Sequence, residues 1–359
     1  MELGIIGLPN SGKTTVFNAL TGSNLETAAV SSGKLEITPA IVNVPDKRVD
    51  KLAEIFKPKK TTYATVTFTD IGGLDKGIGE GGLTGPLRNA LAQADGFVHV
   101  LRAFEDDTVP HPYVTVDPAR DLEIIDSEFL LVDLVTVEKR LERLQQELKK
   151  GGAVDKRANA VETELMQRLK AHLEAEQPLR DLELSDEERK MIRGYGLLSL
   201  KPVIIVVNMG ETWQDPHSII TYPHKNAIVT GLQGKIEAEI AQLEGEDRDL
   251  FLAEYGIEEP SSHRIVRESY RLMNIQSFFT VGPDEVRAWT IRVGATAPEA
   301  AGAIHSDLQR GFIRAEVTPY EDFVALGSMA EVKAKGKMRM EGKDYIVQDG
   351  DILNIRFNV

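Results

Sequence analysis

Short and almost continuously apolar runs alternate with longer segments of helical periodicity through much of the chain. The apolar runs are rich in Val and Ile and cover residues 3–6, 65–69, 97–101, 203–207 and 227–229. Strands that are buried on both faces of a parallel sheet have this pattern. The chain is therefore predicted to contain an α/β domain built on such a sheet.

Residues 122–199 have a different pattern. Two glycines at positions 151 and 152 separate two amphipathic runs, of which the second covers residues 161–173. In the first run, apolar residues recur at alternating spacings of four and three, at Leu130, Leu134, Val137, Leu141, Leu144 and Leu148. This is the seam of a coiled coil. We predict an antiparallel α-helical coiled-coil arm inserted within the α/β domain, because residues 203–207 resume its sheet. A helix pair lying flat on the sheet is the alternative.

Residues 275–359 are predicted to form a second, α+β domain. Strands are predicted over residues 288–293, 312–317, 339–347 and 352–357, with one helix over residues 297–311. A helix that crosses a small mixed sheet is typical of a β-grasp fold. The chain thus divides into a discontinuous domain at residues 1–121 and 200–274, a helical insertion at residues 122–199, and a β-grasp domain at residues 275–359.

The strongest chemical signal follows the first predicted strand. Residues 7–14 read Gly-Leu-Pro-Asn-Ser-Gly-Lys-Thr and fit the P-loop pattern G-x-x-x-x-G-K-[ST]. The glycines let backbone N–H groups face a polyphosphate at the start of a helix. Lys13 is predicted to bind the β- and γ-phosphates and to serve catalysis, and Thr14 to offer its hydroxyl to Mg²⁺. The predicted nucleotide contacts in this segment are Asn10, Ser11, Gly12, Lys13, Thr14 and Thr15.

A second element of the same predicted site follows the apolar run at residues 65–69. Asp70-Ile71-Gly72-Gly73 fits D-x-x-G, in which Asp70 holds Mg²⁺ through water and the N–H of Gly73 contacts the γ-phosphate. Leu74 follows, where GTPases of the Ras type carry a water-orienting glutamine. Because leucine cannot orient water, hydrolysis at this site needs another group.

The segment after the strand at residues 203–207 is the candidate reader of the base. GTPases carry N-K-x-D at this place, whereas this chain has Asn208, Met209 and Glu211. Glutamate carries its carboxylate one methylene further out than aspartate, so guanine contacts become misaligned. A mismatch of buried polar groups changes selectivity by orders of magnitude. We therefore expect relaxed or adenine-leaning specificity.

Composition and charge narrow the class of protein. The chain has 42 Lys and Arg against 56 Asp and Glu, a net charge of −14, and no cysteine. An acidic chain binds nucleic acid poorly without a local basic patch, so we expect no DNA partner. The absence of cysteine excludes thiolate zinc sites and thiol catalysis and favours the cytoplasm. No run approaches the ~18 apolar residues of a membrane span, so no membrane partner is expected.

Together these motifs resemble the YchF subfamily of the Obg-like P-loop NTPases, the Obg-like ATPases, over nearly the whole chain. The resemblance rests on residues 7–15, 70–74, 104–107, 208–211 and 285–290, and its most specific pieces are residues 311–317 and 344–351. The resemblance implies a G domain interrupted by a coiled-coil arm and followed by a TGS domain. It also implies hydrolysis of ATP with Mg²⁺, often in preference to GTP, and association with the ribosome or ribosomal RNA. A hydrophobic residue replaces the catalytic glutamine in this family, and His111 matches a histidine proposed to help hydrolysis. A loop histidine without a role is the alternative for His111.

Three further points stay open. Lys34 stands where family members carry a threonine ligand for Mg²⁺, and Ser32 or Thr38 are the candidate substitutes. Asn10 matches an asparagine with which related G proteins help to hold K⁺, so K⁺ is a second candidate cofactor. An extended segment would place four alternating cations on one face, either as an RNA contact or as a charged sheet edge: Lys333, Lys335, Lys337 and Arg339.

The leading hypothesis is a nucleotide-binding NTPase that hydrolyses ATP, with GTP as a second substrate, and acts as a switch on the ribosome in translation. One alternative is a nucleotide-sensing module that binds RNA or the ribosome with negligible turnover, which Leu74 and Lys34 favour. A GTP-specific GTPase is the other. Lys13, Thr14 and Asp70 together favour an enzyme.

Overall fold

The computed structural model describes residues 1–27, 36–72, 83, 85–150 and 155–358. The chain forms two compact units. Met1–Val42 and Thr67–Ile265 make up unit 1, and Asn43–Val66 and Val266–Val359 make up unit 2. In the described ranges, no helix is both long enough and apolar enough to cross a membrane.

Strands and helices alternate through much of the chain. The strands are β1 (Glu2–Ile6), β2 (Ile37–Asn43), β3 (Lys60–Thr62), β4 (Thr65–Ile71), β5 (Gly96–Ala103), β6 (Val203–Met209), β7 (Ala227–Leu232), β8 (Ile275–Thr280), β9 (Glu285–Arg292), β10 (Phe312–Pro319), β11 (Arg339–Glu341) and β12 (Asp351–Phe357). The helices are α1 (Lys13–Thr21), α2 (Lys47–Phe56), α3 (Gly85–Gln93), α4 (Pro118–Lys150), α5 (Lys156–Glu174), α6 (Asp186–Ile192), α7 (Pro216–Ile219), α8 (Gly234–Ile240), α9 (Gly245–Glu254), α10 (Ser261–Leu272), α11 (Ala297–Ile304), α12 (Ser306–Arg310), α13 (Tyr320–Leu326) and α14 (Met329–Ala334).

Unit 1 is built on a sheet with the strand order β2-β4-β1-β5-β6-β7. The pairs β1–β4, β1–β5, β5–β6 and β6–β7 are all parallel. The predicted α/β fold with a parallel sheet is confirmed, and all five predicted strands are present. Every residue of β6 is buried, as expected of a strand covered on both faces. The carboxyl ends of β1, β4 and β6 carry the predicted site residues.

The helices α4 and α5 form an antiparallel pair within unit 1. Leu144 O accepts a hydrogen bond from Asn159, and Arg140 pairs with Glu162. Residues later in α5 thus contact residues earlier in α4, which means that the two helices run in opposite directions. Five of the six predicted seam residues, all but Leu148, belong to one cluster with Leu165, Leu169 and Leu173 of α5. Helix α4 begins at Pro118, four residues before the predicted start. Proline is favourable at the first position of a helix, because an N–H there would have no partner within the helix. The two helices of the predicted arm are therefore present, while its projection from the domain stays a prediction.

Unit 2 is built on a mixed sheet with the order β11-β10-β12-β8-β9-β3. β12 pairs with β8 in parallel, and β10–β12 and β8–β9 are antiparallel. Helix α11 packs on this sheet through its buried alanines. Residues 43–66, which the sequence assigned to the first domain, supply α2 and the edge strand β3 of unit 2. The division into three domains at residues 121, 199 and 274 stays a prediction.

Two expectations for the C-terminal segment are wrong, and two of its helices were not expected. The helix predicted over residues 297–311 is broken at His305, whose extended backbone separates α11 from α12. The strand predicted over residues 339–347 ends at Glu341. The sequence analysis also did not predict the helices α13 and α14, which are only seven and six residues long.

The four alternating cations of this segment do not lie on one extended face. Lys333 lies in α14, which Ser328 caps, and Lys335 ends the same helix. Lys337 pairs with Asp322 at 3.2 Å, and Arg339 lies 3.6 Å from Glu341. The extended interpretation is therefore wrong, because a helix rotates successive side chains by 100° rather than alternating them.

Candidate nucleotide-binding site

The predicted phosphate loop links β1 to α1 in a tight curl. Gly7 and Gly12 have φ values of 154° and 90°, which L side chains rarely adopt. A Cβ on Gly7 would lie 2.4 Å from the carbonyl oxygen of Val100, and one on Gly12 would lie 2.2 Å from the amide nitrogen of Asn208. The loop thus requires glycine at both places. No side chain caps the first turn of α1, so its N–H groups are oriented to receive an anion.

Lys13 lies in the first turn of α1 and its side chain folds back over the loop. Its Nζ donates hydrogen bonds to the carbonyl oxygens of Gly7 at 3.0 Å and Leu8 at 2.9 Å. The ammonium group is thereby held next to the main-chain N–H groups that would bind phosphate. Ser11 is buried, and within the described part of the chain its Oγ has no hydrogen-bond partner. Thr15 is half-buried in the same helical turn.

The two predicted metal ligands lie side by side. Thr14 Oγ1 donates to Asp70 Oδ2 at 2.9 Å. The other carboxylate oxygen, Oδ1, is buried and has no hydrogen-bond partner among the residues that the structure describes. Burial raises the pKa of the Asp70 carboxyl, opposed by the hydrogen bond from Thr14. A hydroxyl and a carboxylate are the hard oxygen donors that Mg²⁺ prefers, and the unpartnered Oδ1 leaves capacity for a cation, so these residues fit the metal.

Asn208 ties the phosphate loop to the sheet. Its buried side chain donates from Nδ2 to Ser11 O at 3.0 Å and accepts at Oδ1 from the N–H of Gly234 at 3.2 Å. Both ends of the amide are therefore engaged within the protein. In this arrangement Asn208 supports the loop from beneath, a role that the sequence analysis did not foresee.

The residues after Asn208 point in different directions. Met209 is buried in the core of the sheet, and its Sδ accepts from the N–H of Gln214 at 3.4 Å. The side chain of Glu211 is exposed, while its carbonyl oxygen accepts a 2.6 Å hydrogen bond from Gln233. The buried Gln233, which the sequence analysis missed, fixes the main chain of this loop. Its position directly before α8, where a short capping residue is expected, is the signal that could have drawn attention to it.

His111 lies on a loop that touches the phosphate loop. Asn10 Nδ2 donates to Pro110 O at 2.8 Å, which holds residues 104–117 against residues 7–12. The imidazole itself has partners outside the phosphate loop. Its Nε2 lies 2.8 Å from Asp121 Oδ2, and its Nδ1 accepts from the N–H of Tyr113 at 3.1 Å. The structure thus brings the loop of His111 to the site but engages both ring nitrogens, Nε2 with Asp121 of α4 and Nδ1 with the main chain of the loop itself.

Arg102 organises this loop and was also missed. It is almost fully buried, and its guanidinium donates to the carbonyl oxygens of Phe104 at 3.0 Å and Val109 at 2.8 Å. It also reaches the carbonyl oxygen of Asn10 at 3.4 Å and lies 4.5 Å from the centre of the Phe104 ring. An arginine within a buried and mostly apolar strand is the sequence signal for such a role.

Several predicted residues lie outside the described part of the chain. These are Gly73, Leu74, Ser32 and Lys34. Thr38, the other candidate for the switch I ligand, lies half-buried in β2. The choice among the switch I ligands stays open.

Two family models match the chain. The model described as a 50S ribosome-binding GTPase matches residues 2–110, and the YchF-GTPase C-terminal model, described as a protein of unknown function, matches residues 275–358. A protein named ribosome-binding ATPase YchF from Bacillus subtilis is 44% identical, with 100% of both chains covered. The chain belongs to the YchF family. The YchF protein of the same name from Escherichia coli O157:H7 is 43% identical over 100% of this chain and 99% of its own.

A solved structure agrees with this assignment. The structure of the Schizosaccharomyces pombe YchF GTPase has a TM-score of 0.85 and is 32% identical, covering 99% of this chain and 97% of its own. The likeness therefore extends over both units. The P-loop lies within the part matched by the GTPase model.

Proposed function

We propose that this protein binds and hydrolyses ATP with Mg²⁺, with GTP as a second substrate, and that it works on the ribosome in the cytoplasm as a nucleotide-dependent switch. The observation that carries the proposal is the phosphate loop with Lys13 folded over it and the Thr14–Asp70 pair beside it. Relatives at 43% and 44% identity over the full chain are named ribosome-binding ATPases.

The geometry supports a definite division of labour at the phosphates. Backbone N–H groups of residues 10–15 and the start of α1 receive the phosphate oxygens. Lys13 leaves its two carbonyl acceptors for the β- and γ-phosphates, where its charge also serves the transition state. Thr14 and Asp70 hold Mg²⁺, which neutralises charge on the phosphates when bound. The D-x-x-G motif, and not the described structure, assigns the remaining γ-phosphate contact to the N–H of Gly73.

The loop at residues 208–211, the candidate reader of the base, favours adenine over guanine. A lysine of the N-K-x-D type extends along a guanine, whereas Met209 is buried in the core. Glu211 exposes its carboxylate and presents a main chain held by Gln233. Carbonyl and N–H groups of residues 209–211 can meet the amine and ring nitrogen of adenine, with Asn208 supporting the phosphate loop beneath. This arrangement favours ATP over the GTP-specific alternative.

Two further parts of the proposal concern catalysis. His111 replaces the missing glutamine as the group that orients water, after leaving its present partners. Asn10 uses its amide nitrogen on Pro110, which leaves the amide oxygen to bind K⁺ near the phosphates. The family resemblance supports both assignments, and it supports a TGS domain at residues 275–359 that contributes to contact with ribosomal RNA.

Calorimetry with matched non-hydrolysable analogues of ATP and GTP tests the nucleotide. We expect tighter binding of the ATP analogue. Replacing Lys13→Ala should weaken triphosphate binding by roughly 100-fold, since charge-assisted hydrogen bonds to two phosphates are lost. Lys139→Ala, which removes an exposed lysine of α4, is the matched control and should bind normally. Equal affinity of the Lys13 variant and the parent protein would refute the P-loop assignment.

Phosphate release, with and without ribosomes and in K⁺ or Na⁺, tests turnover. Faster release with ribosomes and in K⁺ is expected. Tight nucleotide binding with negligible release under all four conditions would instead support a nucleotide-sensing module. Equal rates in K⁺ and Na⁺ would remove K⁺ from the proposal without affecting the rest.

A further inference from the structure

The His111–Asp121 contact joins the nucleotide site to the first turn of α4. The two side chains are 2% and 3% exposed, with 2.8 Å between Nε2 and Oδ2. Because Nδ1 accepts the N–H of Tyr113, the ring hydrogen lies on Nε2, which donates it to Asp121. Neither nitrogen is free to bind water in this arrangement.

Arg120 locks Asp121 in turn. Its Nε and Nη2 donate to Asp121 Oδ1 at 3.1 Å and 2.7 Å. The same guanidinium donates to Thr115 O at 2.7 Å and lies 5.1 Å from the centre of the Tyr113 ring. Loop residues 111–115 and helix residues 120 and 121 therefore form one closed network.

The backbone within this network is strained. Val114 has a φ of 71°, a left-handed conformation that a β-branched residue rarely adopts, and its side chain is 88% exposed. No burial of the Val114 side chain offsets this cost. Such strain persists where the surrounding contacts impose it, and it occurs at segments that switch between arrangements.

We propose that Asp121 is a positioning residue that holds His111 in a resting orientation against the start of α4, and that release of this contact limits ATP hydrolysis. The inference rests on the proposed function, because it takes His111 as the group that orients water. Pro110, the neighbour of His111, already contacts Asn10 of the phosphate loop. To reach the site, the imidazole therefore needs only a change in the residues next to His111. The loop as a whole already lies against the phosphate loop.

The contact also makes α4 a partner in the reaction. Asp121 belongs to the first turn of the helix whose later turns pack against α5. Any event that shifts this turn, such as binding of a partner to the helix pair, changes the fraction of His111 that is released. A site that is active only in a minor conformation gains rate in proportion to that fraction.

Single-turnover hydrolysis of ATP by the full chain tests the proposal. Asp121→Ala should raise the rate by roughly 3- to 10-fold with the ATP dissociation constant unchanged, because the released fraction rises. Asp121→Asn keeps the size and one acceptor but loses the charge, so an intermediate rate is expected. Glu123→Ala removes an exposed carboxylate from the same helical turn and should leave the rate unchanged.

A double-mutant cycle separates positioning from structure. His111→Ala alone should be slower than the parent, and in that background Asp121→Ala should have no further effect on the rate. An equal change with and without His111 would overturn the inference but not the proposed function. A slower Asp121→Ala enzyme would show that Asp121 orients His111 productively. If His111→Ala hydrolyses ATP at the parent rate, both the inference and the catalytic role of His111 fail.

Val114→Asn provides a test of opposite sign that does not touch the hydrogen bonds. Asparagine tolerates a positive φ better than valine, so the substitution stabilises the resting loop. Hydrolysis should slow by roughly 2- to 5-fold, and thermal stability should not fall. A faster Val114→Asn enzyme would contradict the resting arrangement described here.

Discussion

At the scale of single residues, two buried polar side chains of β5 differ in their hydrogen bonding. Arg102 finds carbonyl acceptors on the loop that follows its strand. His99, three residues earlier, is buried, and none of the described residues is a hydrogen-bond partner of its Nε2. Burial lowers the pKa of His99 to about 3, and the positive charges of Arg180 and Lys13 act in the same direction. The folded protein therefore holds this histidine neutral.

The depressed pKa of His99 predicts a loss of stability in acid. Between the ordinary value of 6.5 and about 3, the unfolded chain binds a proton that the folded chain refuses. Folding stability therefore falls as the pH falls through this window, by up to about 1.4 kcal/mol per pH unit from this residue. Urea unfolding at pH 7.5, 6 and 5 should show a steeper loss in the parent protein than in His99→Leu. The exposed His217, changed to Gln, is the control. Parallel pH dependence of the parent and His99→Leu would contradict a depressed pKa.

At the scale of elements, α4 shows what a heptad pattern can and cannot specify. The six apolar positions are equivalent in sequence, yet Leu144 is fully buried against α5 whereas Leu148 is 47% exposed. Both leucines lie on the same helix, one turn apart. The packing of the seam against α5 therefore covers Leu144 but leaves much of Leu148 exposed.

The two leucines predict different costs of truncation. Leu144→Ala should lower the free energy of unfolding by about 2–5 kcal/mol, because it leaves a cavity between the helices. Leu148→Ala should change it by no more than about 0.5 kcal/mol. Thermal and denaturant unfolding of both variants provides the comparison. Similar losses at the two positions would mean that the helix pair packs further along α4 than described.

The elements also show why some of the fold could be predicted and some could not. The strands of the parallel sheet and the P-loop were predictable, because a continuous apolar run and the glycine-containing P-loop pattern can each be recognised within a short stretch of sequence. Strand β3 was not, since its three residues depend on a partner more than 200 residues away in β9. The contact between His111 and Asp121 was also hidden, because no pattern indicates that a polar loop turns its imidazole towards the next helix. The roles of Asn208 and Gln233 depend on the same kind of tertiary pairing.

At the scale of the whole molecule, unit 2 is assembled from two separate stretches of the chain. Residues 43–66 contribute several contacts to the C-terminal sheet and its helices. Phe56 of α2 stacks on Phe323 of α13 at 5.2 Å, and Arg48 pairs with Asp349 at 2.8 Å. Strand β3 extends the sheet at its edge next to β9. The C-terminal segment therefore lacks part of its own core when it is taken alone.

This assembly predicts how fragments of the chain fold. The fragment of residues 275–359 lacks α2 and β3, so it loses the ring partner of Phe323 and exposes the β9 edge. It should be largely unfolded or strongly destabilised, because truncation of a single buried aromatic side chain already costs about 3–5 kcal/mol. A composite in which residues 43–66 are joined through a flexible Gly–Ser linker to residues 266–359 restores both contacts and should unfold cooperatively. Amide chemical-shift dispersion and thermal melts distinguish the two, and residues 266–359 alone are the control for the added α10 residues. The fragment of residues 275–359 could instead melt as cooperatively as the composite and at the same temperature. The predicted boundary at residue 275 would then mark an independent domain, to whose stability residues 43–66 contribute nothing.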